Sequence, residues 1–258
     1  MTTDLQKVAL VTGAGKRIGR VIALALAERG WDVVVHFRTS AVEAAETVRA
    51  IQQLGQRAAA LQGDLSDAVQ TAGLVAAAAA LFGPSARLCC VVNNASLFEQ
   101  DSAADFSPAL LDAHMHANVR APIQLAQALH AATADGERAV VINLLDQKLF
   151  NLNPDFLSYT LSKAALQSAT VMLAQAFAPK LRVVGVAPGI TLVSGDQSET
   201  GFAQAHQITP LGRSSTPDDI AQAVCYLAAA DAITGTTLVV DGGQHLIPTT
   251  RDVMFLAG

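Results

Sequence analysis

The sequence predicts an α/β fold built on a doubly wound parallel sheet of seven strands, with helices on both faces. Short β-branched runs alternate with longer alanine-rich stretches of helical period, as in successive βαβ units. Most of the short runs are apolar throughout, which suits strands that helices cover on both sides. A glycine-rich turn directly follows the first run, where the first helix of a Rossmann-type sheet begins.

The apolar runs define the order of the elements. The candidate strands are Lys7–Val11, Asp32–Phe37, Arg57–Leu61, Leu88–Val92, Ala139–Leu144, Leu181–Val186 and Thr237–Val240. Gly30 and Gly55 stand where left-handed helix C-caps belong, and Ser40 and Ser66 precede helical stretches as N-caps.

A long helix is predicted from near Pro154 to Ala178, and it is apolar on more than one side. One face must cover the sheet. The surplus apolar surface indicates either a helix contact between subunits or burial under a loop of the same chain.

The 258 residues, 51% of them hydrophobic, fit one domain spanning residues 1–258. Between Thr191 and Thr209 the sequence becomes polar and loses its period, which predicts a flexible substrate loop near 191–209. The tail 248–258 either reaches a neighbouring subunit's site or packs on the surface.

Composition excludes several classes of function. No apolar run reaches the roughly eighteen residues of a membrane span, and the first residues lack signal-peptide features, so we expect a cytoplasmic protein without membrane contact. A net charge of −5 gives no electrostatic footprint for nucleic acid. Three cysteines and six histidines show no metal-ligand spacing, so no metal is expected.

The turn after the first strand predicts a dinucleotide site. Glycines there let the backbone approach a pyrophosphate, and the amides of the following helix hold its charge. The residues expected to contribute are Gly13, Lys16, Arg17, Ile18 and Gly19.

The end of the second strand predicts NADPH rather than NADH. Arg38, Thr39 and Ser40 stand where an acidic residue would bind the ribose hydroxyls in an NAD site, and they suit a 2′-phosphate instead. The alternative is a solvated arginine at a strand end. Asp64, followed by Leu65 after the third strand, either caps the next helix or binds the adenine amino group.

Tyr159 and Lys163 lie four residues apart, on one face of the long helix. We expect the ammonium to lower the pKa of the phenol and favour proton transfer. Asp146 lies thirteen residues before Tyr159, and a carboxyl group there suits a substrate whose reacting bond ends in nitrogen. Asp146 could also be a helix cap or a surface residue.

Taken together, these residues resemble the short-chain dehydrogenase/reductase family over essentially the whole chain, in which serine is usual at the position of Asp146. Further matching pieces are Asn93-Asn94-Ala95, Asn118, Pro188-Gly189 and Asp241-Gly242-Gly243. The resemblance implies that Asn118 supports a proton relay, that Lys163 holds the nicotinamide ribose and that Tyr159 faces the substrate. It also implies a homo-oligomer, by family a tetramer.

Within that family the chain looks like the pteridine reductase and dihydromonapterin reductase branch. Arg17 replaces the usual middle glycine, and Asn94 is followed by Ala95, Ser96, Leu97 and Phe98. The branch implies that the arginine reaches phosphates and pterin, that the serine touches phosphate and that the phenylalanine stacks on the pterin, as suits a flat heterocycle. The alternatives are that Phe98 is ordinary core and that Arg17 pairs with a carboxylate.

The sequence therefore predicts an NADPH-dependent reductase of a C=N bond in a dihydropterin or dihydrofolate. The alternatives are a carbonyl or 3-oxoacyl reductase, in which Ser96 or a water polarises the carbonyl, and a non-catalytic NADP(H) sensor. The predicted catalytic residues are Asp146, Tyr159, Lys163 and Asn118, and the predicted substrate-binding residues are Arg17, Ser96, Phe98, Asp146 and Tyr159. The predicted cofactor residues are Gly13, Lys16, Arg17, Ile18, Gly19, Arg38, Thr39, Ser40, Asp64, Leu65, Asn94, Ala95, Ser96, Tyr159, Lys163, Pro188 and Gly189.

Overall fold

A computed structural model describes residues 5–193 and 199–255, and its centre is one parallel sheet of seven strands in the order β3-β2-β1-β4-β5-β6-β7. The strands are β1 Gln6–Val11, β2 Asp32–Phe37, β3 Ala58–Gln62, β4 Ala86–Asn93, β5 Ala139–Leu144, β6 Leu181–Pro188 and β7 Thr237–Val240. The predicted fold class is confirmed, and each strand end lies within two residues of its predicted position.

Helices cover both faces of the sheet. They are α1 Arg17–Glu28, α2 Ala41–Gln53, α3 Ala68–Ala80, α4 Pro108–Met115, α5 Ala121–Ala132, α6 Leu157–Phe177, α7 Glu199–Gln207 and α8 Pro217–Ala229. A π-helical segment, His116–Arg120, joins α4 to α5, and short 3-10 helices span Gln147–Phe150, Gln244–Leu246 and Val253–Phe255. Among the described residues, no helix is both long and apolar enough to span a membrane.

The alternation of side chains along the strands divides the core into two layers. Ala9 and Val11 of β1 pack with α1, α2 and α8, whereas Val8 and Leu10 pack with α3, α5 and α6. Strands buried in this way carry few polar side chains, so the polar residues that could bind ligands lie mainly beyond the strand ends.

The predicted helix caps are confirmed in part. Gly30 and Gly55 adopt left-handed φ values of 83° and 87°. Ser40 precedes α2 but makes no capping hydrogen bond. The prediction for Ser66 is wrong: Asp67 caps α3, because its carboxylate accepts hydrogen bonds from two backbone amides of the first turn.

The second half of the segment near 191–209, predicted as a flexible substrate loop, contains a helix that the sequence did not indicate. Residues Glu199–Gln207 form α7, in which Ala205 is buried. The His206 ring is hydrogen-bonded to the backbone of Ser214 and Ser215. A helix of nine residues has too few turns to show a clear period, and packing decides its conformation. Residues 194–198 of the predicted loop lie outside the described residues.

Helix α6 has apolar residues on two sides, as predicted. Leu166 and Ala174 are buried against the rest of the chain, whereas Leu161, Val171 and Met172 are exposed. No loop within the described parts of the chain covers these three side chains, and the subunit contact stays a prediction.

Candidate functional site

Two adjoining cavities open at the carboxyl edge of the sheet, where ligands bind in doubly wound folds. The nucleotide cavity, of about 660 Å³, is lined by most of the predicted cofactor residues: Gly13, Lys16, Arg17, Ile18, Gly19, Arg38, Thr39, Ser40, Asp64, Leu65, Asn94, Ala95 and Ser96. The substrate cavity, of about 460 Å³, is lined by Phe98, Asp146, Tyr159, Lys163, Pro188 and Gly189 among others. Arg17, Ile18, Asn94 and Ser96 line both cavities.

The turn that opens α1 is too crowded for side chains at its glycines. A Cβ atom on Gly19 would lie 2.4 Å from the Gly13 carbonyl oxygen and 2.5 Å from Asn94 Nδ2. Arg17 adopts a left-handed φ of 54°, a conformation that favours glycine. The strained backbone places this arginine between the two cavities, where its Nη2 donates to the Val193 carbonyl.

His36, at the end of β2, supports this turn, and sequence reasoning gave it no role. Its Nδ1 accepts a hydrogen bond from the Gly13 amide at 3.2 Å, and its Nε2 lies 3.1 Å from the Gly63 carbonyl oxygen. The ring must therefore be neutral, with its proton on Nε2. Burial lowers its pKa to about 4. The only sequence indication was one polar residue within an apolar strand.

The segment after β4 is fixed to the same turn by Thr12. The Thr12 hydroxyl accepts hydrogen bonds from the amides of Asn94 and Ala95 at 2.9 and 3.0 Å and donates to the Val92 carbonyl. Asn94 Nδ2 donates to the Thr12 carbonyl oxygen at 2.9 Å. These bonds hold Asn94 and Ala95, which line the nucleotide cavity, against the end of β1.

Asp64 does not cap α3, one of the two roles predicted for it. Its carboxylate accepts hydrogen bonds from the amide and hydroxyl of Ser66, which lower its pKa together with the nearby charge of Arg38. Asp64 thus lies on the wall of the nucleotide cavity as an acceptor. Adenine binding by this residue stays a prediction.

Asp146 and Tyr159 form a direct pair on the wall of the substrate cavity. The Tyr159 hydroxyl donates to Asp146 Oδ2 at 2.8 Å, and Oδ1 accepts from the Lys148 amide at 2.8 Å. Asp146 also caps the short helix Gln147–Phe150 through this second bond, so it is a helix cap and a cavity residue at once. The alternative of a surface position does not apply, because the half-buried carboxyl group lines the substrate cavity.

The predicted effect of Lys163 on Tyr159 is wrong. The Lys163 ammonium donates to the Leu144 carbonyl at 2.7 Å and lies 5.6 Å from the centre of the Tyr159 ring. Burial and the adjacent Asp146 hold the pKa of Tyr159 well above its usual value, and burial raises the pKa of Asp146. Burial lowers the pKa of Lys163 to about 8. The charged group that most affects the pKa of the Tyr159 phenol is therefore the Asp146 carboxyl group and not the Lys163 ammonium.

Asn118 lies on the π-helical segment His116–Arg120, a type of helix that is frequent at functional sites. Its Oδ1 accepts hydrogen bonds from the Leu97 amide and the Ser96 hydroxyl, at 2.8 and 3.2 Å. Its Nδ2 donates to the Leu97 carbonyl and to Ser162 Oγ, both at 3.0 Å. Asn118 therefore connects the Ser96–Phe98 segment to α6, behind the residues that line the substrate cavity.

Phe98 is not ordinary core, because 42% of it is exposed. Its ring stacks on Phe156 at 4.5 Å between centroids and meets Tyr159 edge-on at 4.7 Å. This aromatic wall faces the same cavity as the Asp146–Tyr159 pair. Sequence reasoning did not identify Phe156, which lies far along the chain from its partner.

The described part of the tail packs on its own chain, beside the substrate cavity, where Asp252, Val253 and Met254 contribute to the lining. Among the residues that the structure describes, no group of histidine, cysteine or acidic side chains could hold a metal ion. Cys89, Cys90 and Cys225 are free and buried.

A dinucleotide-type turn, a Tyr-Lys pair on α6 and a seven-stranded parallel sheet together define an oxidoreductase of the doubly wound class. The chain belongs to the short-chain dehydrogenase/reductase family: a family model described as enoyl-(acyl carrier protein) reductase matches residues 13–245.

Several relatives are similar along nearly their whole length. An uncharacterized oxidoreductase of Methylorubrum extorquens is 38% identical over 92% of this chain and 97% of its own. A 2-dehydro-3-deoxy-D-gluconate 5-dehydrogenase of Dickeya dadantii is 32% identical over 94% of this chain and 97% of its own.

A solved structure titled FolM alternative dihydrofolate reductase 1, from Brucella canis and complexed with NADP, superposes with a TM-score of 0.90. It is 38% identical and covers 97% of this chain and 98% of its own. A short chain dehydrogenase of Burkholderia cenocepacia in complex with NADP has a TM-score of 0.84 at 32% identity, over 93% of this chain and 98% of its own.

Proposed function

We propose that this protein is an NADPH-dependent reductase of a C=N bond in a pterin-type substrate, a dihydropterin or dihydrofolate. The observation that carries the proposal is the half-buried Asp146 carboxyl group, hydrogen-bonded to Tyr159 at 2.8 Å on the wall of the substrate cavity. The Brucella canis protein, titled an alternative dihydrofolate reductase and complexed with NADP, supports the same assignment.

The nucleotide cavity fits NADPH. The crowded glycine turn at the start of α1 leaves backbone amides free of side chains, as a pyrophosphate requires. Arg38, Thr39 and Ser40 would hold the 2′-phosphate, and Lys163, with Tyr159, the nicotinamide ribose. When bound, NADPH supplies the hydride.

Tyr159 is placed to supply the proton. It lines the substrate cavity and already donates a hydrogen bond, so it presents the protonated form that a general acid needs. Asp146 accepts the hydrogen bond of this hydroxyl, and its pKa, which burial raises, suits it to take up a proton from water and return it to Tyr159 after each turnover. In the balanced reaction, carbon gains the hydride and nitrogen gains the proton.

The rest of the cavity suits a flat ring with polar edges. The exposed part of Phe98 offers an aromatic surface, Arg17 lies where the two cavities meet, and Asp146 offers a carboxylate to a donor-rich edge. The Ser96 hydroxyl donates toward the Leu97 carbonyl and Asn118 Oδ1, so it is already engaged and poorly placed to polarise a ketone.

The carbonyl or 3-oxoacyl reductase remains the competing function, because relatives include a trihydroxynaphthalene reductase and a ketoacyl reductase of polyketide synthesis. The decisive experiment measures NADPH oxidation with dihydrobiopterin, dihydromonapterin and dihydrofolate, and with simple ketones and a 3-oxoacyl thioester. We expect turnover of at least one dihydropterin and little of the carbonyl compounds. Turnover of carbonyl compounds alone would refute the proposal, and NADPH binding without any turnover would indicate the sensor.

The Tyr159→Phe variant tests the proton donor within this function. We expect kcat to fall by roughly 10²- to 10⁴-fold, the usual loss when a general acid is removed. Binding of NADPH, followed by nicotinamide fluorescence, should weaken much less than kcat falls, because Lys163 still holds the ribose, and this difference separates loss of the proton from loss of the cofactor. Full turnover in this variant would show that the proton comes from elsewhere.

We further propose that the chain is a cytoplasmic homo-oligomer. The exposed apolar side chains of α6 support self-association, since such a surface is unfavourable in water.

A further inference from the structure

The C-terminal clamp, which we define as residues Arg251–Phe255, forms part of the substrate cavity wall. Asp252, Val253 and Met254 line this cavity together with Asp146 and Tyr159. The proposed function assigns no role to these five residues, although they complete the outer end of the cavity.

The clamp is tied to the start of α6, the helix that carries Tyr159. Arg251 Nε donates to both carboxylate oxygens of Asp155, at 2.9 and 2.8 Å, and the Asp252 amide donates to Asp155 Oδ2 at 2.7 Å. Asp155 lies two residues before α6 begins. The final residues of the clamp add a ring contact, because Phe255 stacks on Phe156 with 5.9 Å between centroids.

A second contact joins the clamp to the turn that carries Asp146. Lys148 is buried, and its ammonium lies 3.2 Å from Asp252 Oδ2 while also donating to the Asp155 carbonyl. The backbone amide of the same residue donates to Asp146 Oδ1. A buried ammonium is unfavourable without an opposite charge nearby, and Asp252 supplies that charge to Lys148.

We propose that Asp252 is a positioning residue for the proton donor: through Lys148 it fixes the turn that bears Asp146, and its charge keeps the Asp146–Tyr159 pair protonated at working pH. This inference rests on the proposed role of that pair in proton transfer. It gives the C-terminal clamp an electrostatic function in addition to a structural one.

The sign of the effect follows from the charges around the pair. Facing Asp146 are Tyr159 and Lys163 from α6, Lys148 from its own turn and Asp252 from the clamp. Burial is the largest cause that raises the pKa of both groups; hydrogen bonds from the Lys148 amide and Tyr159 lower the pKa of Asp146, Asp146 itself raises that of Tyr159, and the Asp252 charge raises both. Neutralising Asp252 leaves the Lys148 ammonium uncompensated, so both groups should lose their protons at lower pH.

The experiment compares the pH dependence of NADPH oxidation in wild type and Asp252→Asn, with a dihydropterin as substrate. Reduction requires the protonated donor, so the high-pH limb of the profile should move to lower pH. The maximal rate should fall by less than about tenfold, because the acid itself is still present. Asp252→Glu, which keeps the negative charge, should have the wild-type pH profile. Asp231→Asn, which removes an acidic residue at the opposite edge of the sheet, should also leave the profile unchanged.

A second readout does not depend on the substrate. The chain has two tyrosines, so labelling with [¹³Cζ]tyrosine gives two signals, and Tyr226→Phe on α8 assigns the Tyr159 signal. This carbon reports ionisation of Tyr159 and of its hydrogen-bonded partner Asp146. Its pH transition should also move to lower pH in Asp252→Asn.

If the Asp252→Asn protein is unfolded, Arg251→Ala replaces it. The Arg251 side chain is half exposed, and its loss removes two of the three hydrogen bonds that hold the clamp to Asp155, which loosens Asp252 with the same expected direction of shift. A folded variant in which neither the rate profile nor the Tyr159 signal moves would overturn the inference. Absence of dihydropterin turnover would refute the proposed function alone, because the tyrosine signal still tests the inference.

Discussion

At the scale of single residues, the pKa values in the site depend on which ionisable groups are removed from water. Tyr159 is buried and Asp146 is half-buried, and this loss of water raises the pKa of both, whereas the Lys163 ammonium is hydrogen-bonded to a backbone carbonyl. This environment favours the protonated form of the phenol. His36 illustrates the opposite case, a ring kept neutral because both of its nitrogens are used.

His36 should make the stability of the protein sensitive to acid. Its folded pKa of about 4 lies below the usual 6.5, so its contribution is fully present above pH 6.5 and is lost as the pH falls toward 4. The difference between the usual and the folded pKa corresponds to about 3 kcal/mol of unfolding free energy. In His36→Gln, whose amide can accept and donate in the same place, urea unfolding should lose less stability between pH 7 and pH 4.5. An equal loss in wild type and variant would assign the acid sensitivity to other groups.

At the scale of elements, the turn between β1 and α1 and the helix α6 position nearly all of the chemistry. The turn is shaped by close approach, since Gly19 leaves no space for a Cβ atom beside the Gly13 carbonyl. By contrast, Gly73 in the middle of α3 has open space around it. Gly19 and Gly73 are therefore a matched pair of positions for alanine substitution, one crowded and one open.

Gly19→Ala should weaken NADPH binding at least tenfold, about 1.4 kcal/mol, because the turn must open to relieve a contact of 2.4 Å. Gly73→Ala should instead stabilise the protein by up to about 1 kcal/mol and leave the Kd for NADPH unchanged. Fluorescence titration and thermal unfolding measure both. Equal NADPH affinity in Gly19→Ala and wild type would contradict the close-packed turn.

The sequence was sufficient for the strands and for the pairing of Asp146 with Tyr159, because period and spacing are local properties. Apolar runs located all seven strands, and the spacing from Asp146 to Tyr159 led to a real hydrogen bond. Helix α7 was missed because packing rather than period determines it. Lys148 and Asp252 are 104 residues apart, and no local pattern connects them. The direction of the Tyr159 pKa was mistaken because burial cannot be read from spacing.

At the scale of the whole molecule, one edge of a single sheet holds both cavities, and residues 252–254 of the tail line the substrate cavity. On the same molecule, α6 presents an exposed apolar surface beyond the site. The helix that carries Tyr159 would therefore also carry the subunit contact, so assembly would restrain the catalytic helix.

Met172→Glu tests that contact. Met172 is 67% exposed on α6, so a charge there should not disturb the folded monomer but should disrupt an apolar interface. Light scattering after size-exclusion chromatography should give a smaller particle than wild type. Val69→Glu, at an exposed position of α3, should leave the size unchanged. A wild-type particle of monomer mass would refute the proposed oligomer directly.

The central claim is that the carboxyl group of Asp146 selects a substrate whose reacting bond ends in nitrogen. It is tested most directly by the ratio of kcat/KM for a dihydropterin to kcat/KM for a simple ketone, measured with NADPH in wild type and in Asp146→Ser. We predict that the ratio falls at least tenfold in the variant, because the hydroxyl can polarise a carbonyl oxygen but cannot share the Tyr159 proton as the carboxyl group does. An unchanged ratio in a folded, NADPH-binding variant would contradict the claim.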